Sequence, residues 1–436
     1  MADVPHLSAQ AMALSDHPRE PVVMHLGVKF AQPVATTVLK QATRELLRRH
    51  PRLRAAMRVN EHKCSFITAK LDDHLVERVW QHDHLPLAEF REQAIDFTQA
   101  PLLRFRYRHE DGLWLLIHHA LADGRAALML LMALQAVLSG APFSAEPGDD
   151  EEQKGARRRI ALGKRATAFA RGVLFHRARR APPVLLGPVR IAGTAHHFEP
   201  RVLSLDTLKA LRLALKQRFN GATLNDVLIA AVQLTCAESL DEQRAAGSFF
   251  GGEHKISVMV PIDLRPTEVV SEPFHNYAST VSISSMPEHR SNPRVLVAHV
   301  AAQMQRARWH HLGYAFVVAL QIYEWLGAMK QSRRIRLQQG LPRRAVGSGK
   351  YWRKLDTVLL SNLGRLRLPR DGSVISIEGY APVIPPMGVA IDVATSAQGL
   401  HLWLHSSNAT LDATQSVAFM ERLVTHIERL AGSTTG

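Results

Sequence analysis

At 436 residues the chain is longer than one hydrophobic core usually serves, and 46% apolar with 21% charged residues excludes a disordered or fibrous polymer. Two domains of roughly 150 to 250 residues each are therefore expected. The formal charge of +15 sits in two stretches, residues 154–180 with ten Lys or Arg and residues 330–354 with nine, neither holding an acid; no helix-turn-helix, zinc or RNA-binding signature accompanies them, which argues against a nucleic-acid-binding protein.

Cys64 and Cys236 stand far apart, which gives neither a disulfide framework nor a zinc pattern and fits a reducing compartment. The first twenty residues contain Asp3, Asp16 and Glu20 and lack the basic start and long apolar core of a secretory leader, so a cytoplasmic protein is expected. The apolar stretch 314–320 is followed by Gln321 and Glu324, well short of the ~20 residues that span a bilayer.

In chain order, residues 21–30 read as a strand. Residues 36–49 read as an amphipathic helix with Val38, Leu39, Ala42, Leu46 and Leu47 on one face. Residues 102–119 form a hairpin: Leu103, Phe105 and Tyr107 alternate with Arg104, Arg106 and Arg108, and an Asp111-Gly112 turn leads into 113–117, a run apolar on both faces that should be a buried central strand. An apolar helix over 126–138 closes at Gly140. From 144 to about 189 the composition changes: an acidic run at 149–152, then basic residues, then Pro182, Pro183 and Pro188 read as an interdomain connection containing one basic helix. Beyond about His196, helices over 205–218, 225–240, 294–310 and 413–430 interleave with strands over 256–262, 278–284, 357–360, 389–394 and 400–404. The expected division is 1–145, a basic connection 146–195, and 196–436, in an α/β fold.

The string His118-His119-Ala120-Leu121-Ala122-Asp123-Gly124 lies where the buried strand ends and a helix begins. Adjacent strand residues point to opposite faces, so the two imidazoles cannot share one metal or one substrate, and one of them should be structural. A neutral imidazole is available at cellular pH as a general base. Asp123 occupies a helix N-cap position, and Gly124 lets backbone approach closely.

This string resembles the His-His-x-x-x-Asp-Gly motif of the CoA-dependent acyltransferase superfamily, which includes chloramphenicol acetyltransferases, condensation domains, plant alcohol acyltransferases and bacterial wax ester synthases. Further segments resemble that superfamily in order. Arg49-His50-Pro51-Arg52-Leu53-Arg54 is similar to the Arg-His-x-x-Leu-Arg segment of condensation domains, and Pro101-Leu102-Leu103-Arg104 to the Pro-Leu-x-Arg segment of wax ester synthases. Asn225-Asp226 resembles an Asn-Asp segment opening a helix, although with Thr223 as cap these residues also simply fill a first helical turn. Pro261-Ile262-Asp263-Leu264-Arg265 followed by His275-Asn276-Tyr277 resembles the Pro-x-Asp-x-Arg and Gly-Asn segments, with His275 where glycine is usual. Ser361-Asn362-Leu363-Gly364 resembles the Ser-Asn-x-Gly segment near the active tunnel.

The resemblance implies two chloramphenicol-acetyltransferase-like subdomains, each a mixed sheet with helices, and a tunnel at their interface with His119 as the catalytic base. His118, Asp123 and Gly124 would be structural at the site, with Arg54 as the arginine paired to Asp123. Ser361, Asn362 or backbone amides would stabilise an oxyanion. It implies no metal and no permanently bound cofactor. An acyl-CoA, or the phosphopantetheine thioester of an acyl-carrier protein, would be the co-substrate, and an apolar hydroxyl or amine compound the acceptor. The Pro-Leu-x-Arg segment favours ester formation over an amide-forming condensation, and a catalytically silent binding module is the non-enzymatic alternative. A monomer is expected. The basic segments read as solvated faces, as a landing site for CoA phosphates or an acidic carrier, or as a peripheral contact with an anionic membrane at its inner face.

Overall fold

The computed structural model describes residues 8, 9, 12, 16, 21–59, 64–140, 167–172, 183–187, 195–245, 247, 250–251, 254–265, 273–318, 356–366, 373–384 and 387–432. The basic stretch 330–354 lies outside the described residues, as does 154–180 apart from 167–172 and most of the connection 146–195.

The chain opens with β1 (Val23–Phe30), α1 (Thr36–Arg49), a 3-10 turn (Pro51–Arg54) and a small hairpin of β2 (Ala55–Val59) and β3 (Cys64–Thr68). Short helices α2 (Asp73–Val79) and α3 (Leu87–Arg91) lead to the hairpin β4 (Leu103–Arg108) and β5 (Gly112–His118), then α4 (Gly124–Ser139). After β6 (Val184–Leu185) come β7 (His196–Leu203), α5 (Leu205–Gln217), α6 (Leu224–Ala245), β8 (Phe250–Gly251), β9 (Ile256–Asp263), β10 (Ala278–Ser285), α7 (Pro287–Arg290) and α8 (Pro293–Trp309). The chain closes with β11 (Val358–Arg365), β12 (Val374–Tyr380), β13 (Val389–Thr395), β14 (Leu400–Ser407) and α9 (Ala413–Ala431).

Two larger sheets organise these elements. The first has the order β12-β1-β5-β4 and is antiparallel at every pairing; the second has the order β10-β9-β11-β13-β14-β7 and is mixed, β11 running parallel to both β9 and β13. The α/β architecture in two sheet-and-helix halves matches the expectation. β12, although late in the chain, pairs with β1 and completes the first sheet. Each half has its own apolar core, one packing α1 and α4 on the first sheet and the other packing α5, α6, α8 and α9 on the second, while Tyr380, Ala394 and Trp403 join the first core.

Local chemistry explains the elements that position the site. β5 is buried along its whole length because β1 and β4 flank it and both its faces are covered, as the continuous apolar run predicts. α1 buries Leu39, Ala42, Thr43, Leu46 and Leu47; Val38 sits at the margin of that stripe and is exposed, while the Thr43 hydroxyl satisfies itself on the Leu39 carbonyl. The alternation in β4 suggests arginines in solvent, yet Arg104 and Arg106 are buried. Their guanidinium groups bend back onto polar partners: Arg104 donates to the carbonyls of Pro101 and Leu103, and Arg106 to the Leu85 carbonyl and the Asp111 carboxylate. α4 ends at Gly140 in the left-handed region, as its sequence position indicates.

The β4–β5 turn depends on Gly112, whose φ is +85° and whose missing Cβ would lie 2.4 Å from the Val28 carbonyl oxygen. Gly112→Ala is expected to cost about 1–3 kcal/mol, combining the left-handed strain with displacement of β1 backbone. Urea unfolding checks this; an unchanged midpoint would contradict the turn geometry.

Candidate active site

Ladder bonding persists for one residue past β5. His118 N donates to the Leu102 carbonyl (3.0 Å) and His119 N to the Val22 carbonyl (2.9 Å), and Leu121 N then closes a turn on the His118 carbonyl (2.9 Å). The extended backbone sends the two imidazoles to opposite faces, as the spacing implies. His118 is fully buried against Phe97, accepts from Ala120 N at Nδ1 (3.1 Å) and has Nε2 3.5 Å from the Asp16 carboxylate. His119 instead lines a cavity of about 300 Å³ between the two halves, with Met24, Leu26 and Gly124 on the first side and Met259, Ser361 and Asp392 on the second.

The His119 ring is held at one edge. Its Nδ1 lies 3.0 Å from the Ala122 carbonyl oxygen. A carbonyl only accepts, so the hydrogen is on Nδ1 and the lone pair is on Nε2. Asn276 holds the backbone beside the same edge: its Oδ1 accepts from Ala278 N, and its Nδ2 donates to the His119 carbonyl (2.7 Å), so its 3.1 Å approach to the protonated Nδ1 is no hydrogen bond. Burial depresses the His119 pKa below the usual histidine value, and Asp123 only partly opposes this. The ring is therefore neutral at cellular pH, with Nε2 as its basic atom.

Asp123 ties the motif to the second half. Its Oδ1 caps α4 by accepting from Ala126 N (2.9 Å) and also accepts from Arg265 Nη2 (2.6 Å); its Oδ2 accepts from Tyr277 N (2.8 Å). Burial alone would raise its pKa, but Arg265 and the two amides outweigh burial and hold it below the ordinary carboxylate range. Arg265 is pushed up in turn by Asp123 and Asp263 against its own burial, so the ion pair stays charged. The arginine paired to Asp123 is thus Arg265 and not Arg54, which donates to the Ala69 carbonyl (3.1 Å) in the 3-10 turn after α1. The expectation failed because the pairing spans 142 positions, where nothing local marks a partner. Arg125 and Asp263, 3.3 Å apart, make a second bridge between the halves.

Gly124 lets α4 begin against β11: a Cβ there would stand 2.9 Å from Leu363 Cδ2. Ser361 and Asn362, the expected oxyanion donors, both line the cavity from the middle of β11. Asn362 spends its amide locally: Oδ1 accepts from Gly364 N across the bulge in that strand, and Nδ2 lies 3.3 Å from Asn225 Oδ1. Ser361 is the better placed donor of the two. Asp226 and Thr223 cap α6 reciprocally, so the Asn-Asp segment does fill a first helical turn. A second cavity of about 120 Å³, lined by Asn225, Arg308 and His311, shares Pro261, Ile262, Asp263 and Asn362 with the first.

Residue-by-residue reading of the sequence missed Arg265, Asn276 and Asp392 as site residues. Arg265 and Asn276 stood inside segments already noted, and for Asp392 the signal was a lone carboxylate in an otherwise apolar strand. Burial pushes the Asp392 carboxyl up to about 7 from 3.8, opposed by hydrogen bonds from Ala381 N and Ser361. Between those values the unfolded chain has released a proton that the folded chain retains, so folding stability falls as pH rises through that interval. Asp392→Asn is expected to relieve a penalty on the order of 4 kcal/mol above neutrality and almost none near the lower value. Thermal melts at the two extremes of pH decide this; equal shifts at both would refute it.

No family model matches the chain. An uncharacterized protein of Mycobacterium tuberculosis, matched in two strains, is 27% identical over 316 residues, spanning 69% of this chain and 68% of the relative. Among solved structures, the first condensation domain of the calcium-dependent antibiotic synthetase, in complex with a substrate analogue, superposes with a TM-score of 0.65 at 16% identity over 100% of this chain and 97% of that one. A mutant starter condensation domain of rhizomide synthetase, in complex with C8-CoA and Leu-SNAC, gives 0.61 at 16% identity over 97% and 93%. The epimerization domain from the third module of tyrocidine synthetase B gives 0.57 at 14% identity over 95% and 93%. The fold is that of condensation domains, in keeping with the CoA-dependent acyltransferase superfamily that the motifs resemble.

Proposed function

We propose, on the premise of a condensation-domain fold enclosing His119, that the chain transfers an acyl group from an acyl-CoA or acyl-carrier-protein thioester to an apolar hydroxyl acceptor. The observation that carries this is a neutral histidine fixed at Nδ1, with Nε2 bonded to no described residue, on the wall of a cavity between two halves. Nε2 takes the acceptor proton as the oxygen attacks the thioester carbonyl. Ser361 donates to the resulting oxyanion, a contribution of about 3 kcal/mol. Collapse breaks the carbon–sulfur bond, and the proton on Nε2 passes to the departing thiolate. Donor and acceptor are bound together, and no acyl-enzyme forms.

Asp123 and Arg265 act here as a clamp fixing the turn that carries His119. Residues 1–145 and 196–436 are read as the two subdomains, joined by 146–195, with β12 returned from the second to the first. We read the protein as an intracellular monomer, with CoA phosphates, an acidic carrier or the inner membrane surface as candidate partners of its two basic stretches; among the described residues no helix is long and apolar enough to cross a membrane.

Amide formation is the second reading, favoured by the condensation-domain neighbours. Thiol release from a panel of acyl-CoAs and carrier-bound acyl groups, each with alcohols and amines, tests both. Alcohol-dependent release supports the proposal; release with amines alone replaces it by condensation. No acceptor-dependent release with any pair would leave a binding module and end the enzymatic reading.

A further inference from the structure

β11 and β13 place a second reactive pair in the cavity wall that the proton transfer at His119 does not use. Ser361 and Asp392 are register partners on these adjacent parallel strands, and both line the cavity. Asp392 is buried, its Oδ2 accepts from Ala381 N, and the Ser361 hydroxyl is bonded to its carboxyl.

A serine hydroxyl has one hydrogen to give. While Asp392 is a carboxylate it can only accept, so that hydrogen points at it and Ser361 shows only lone pairs to the cavity. Once the carboxyl holds a proton it can donate to Ser361 Oγ, and the serine hydrogen turns toward the forming oxyanion. We infer that Asp392 is a positioning residue whose own protonation switches Ser361 between an idle and an oxyanion-donating orientation. This rests on the acyl-transfer reading above and adds the control of its oxyanion donor.

The surroundings allow the switch. Burial places the Asp392 pKa at about 7, close to cellular pH. On β14, His401 and His405 flank its register partner Trp403 on the same sheet face, and burial lowers both pKa values, so both rings are neutral there. On β12, Tyr380 donates to Glu378 at 2.6 Å. Elsewhere in the cavity wall stand His119, the Arg125–Asp263 pair and the Asp123–Arg265 pair. Among the described residues Asp392 itself makes no ion pair, so its titration follows its own proton.

The test is the pH profile of kcat with the best donor and acceptor from the thiol-release panel, together with infrared titration of the free protein. Wild-type kcat should fall about tenfold per pH unit above neutrality, while the depressed His119 pKa sets only the acid limb. Asn at 392 keeps an acceptor for Ala381 N and gives Ser361 a permanent N–H donor, so Asp392→Asn should flatten the alkaline limb. Ser361→Ala should lose the same limb along with about 10²- to 10³-fold in rate, and adding Asp392→Asn to it should change nothing more. The infrared band of a protonated carboxyl should vanish near neutrality in the wild type and be absent from Asp392→Asn. An alkaline limb that survives either substitution, or the absence of that band, overturns the switch. An active His119→Ala with an intact Asp392 effect would overturn the base and leave the switch standing.

Discussion

Alanine at His119 is expected to lower acceptor-dependent thiol release by about 10²- to 10⁴-fold with little change in folding stability. On the proposed mechanism the loss should fall on kcat, because Nε2 would act only as the acceptor loses its proton, whereas the apolar walls of the cavity stay in place. His119 is only half-buried, and its Nδ1 donates to the Ala122 carbonyl alone, so truncation opens the cavity without leaving a buried charge. His118→Ala should behave differently. That ring is sealed against Phe97, and its removal should cost stability first. Single-turnover rates and urea midpoints for both variants separate the two roles; a folded His119→Ala turning over at the wild-type rate would end the general-base assignment.

The second large effect is on stability. Asp123→Ala removes a helix cap, the acceptor of Tyr277 N and the main counter-charge of Arg265, which is 8% exposed and retains the Asp263 carboxylate at 3.2 Å and the His275 carbonyl at 3.1 Å. Breaking a buried pair in this way costs about 3–5 kcal/mol, because the desolvated cation remains. Asp123→Asn separates the contributions, since asparagine caps helices as well as aspartate does but carries no charge. Truncating Arg265 as well should recover part of the loss, giving a coupling energy of about 1–3 kcal/mol in a double-mutant cycle. Strictly additive losses would show that Arg265 and Asp123 act independently.

How much of this was legible in the sequence follows the range of the interactions. The hairpin around Gly112, the buried β5 and the Asp123 cap are set by neighbours a few residues apart, and each could be read from alternation, turn chemistry and capping. Pairings that depend on the closed fold were hidden. Arg265 reaches Asp123 across 142 positions, and Asn276 reaches His119 across 157. β12 was not foreseen, because its alternation of apolar and polar residues does not say which sheet receives it. Nor does an aspartate in β13 announce a raised pKa, since that follows from the desolvation of the finished cavity.

The placement of β12 has a consequence for how the polypeptide is made. β1 emerges early from the ribosome but finds its outer neighbour only after residue 380 has been synthesised. Until then its backbone amides and carbonyls on that side are an open edge, able to pair with another nascent chain. The first sheet is consequently completed only once the chain has been made through Tyr380, and an expressed fragment that stops short of Val374 should be recovered as aggregate.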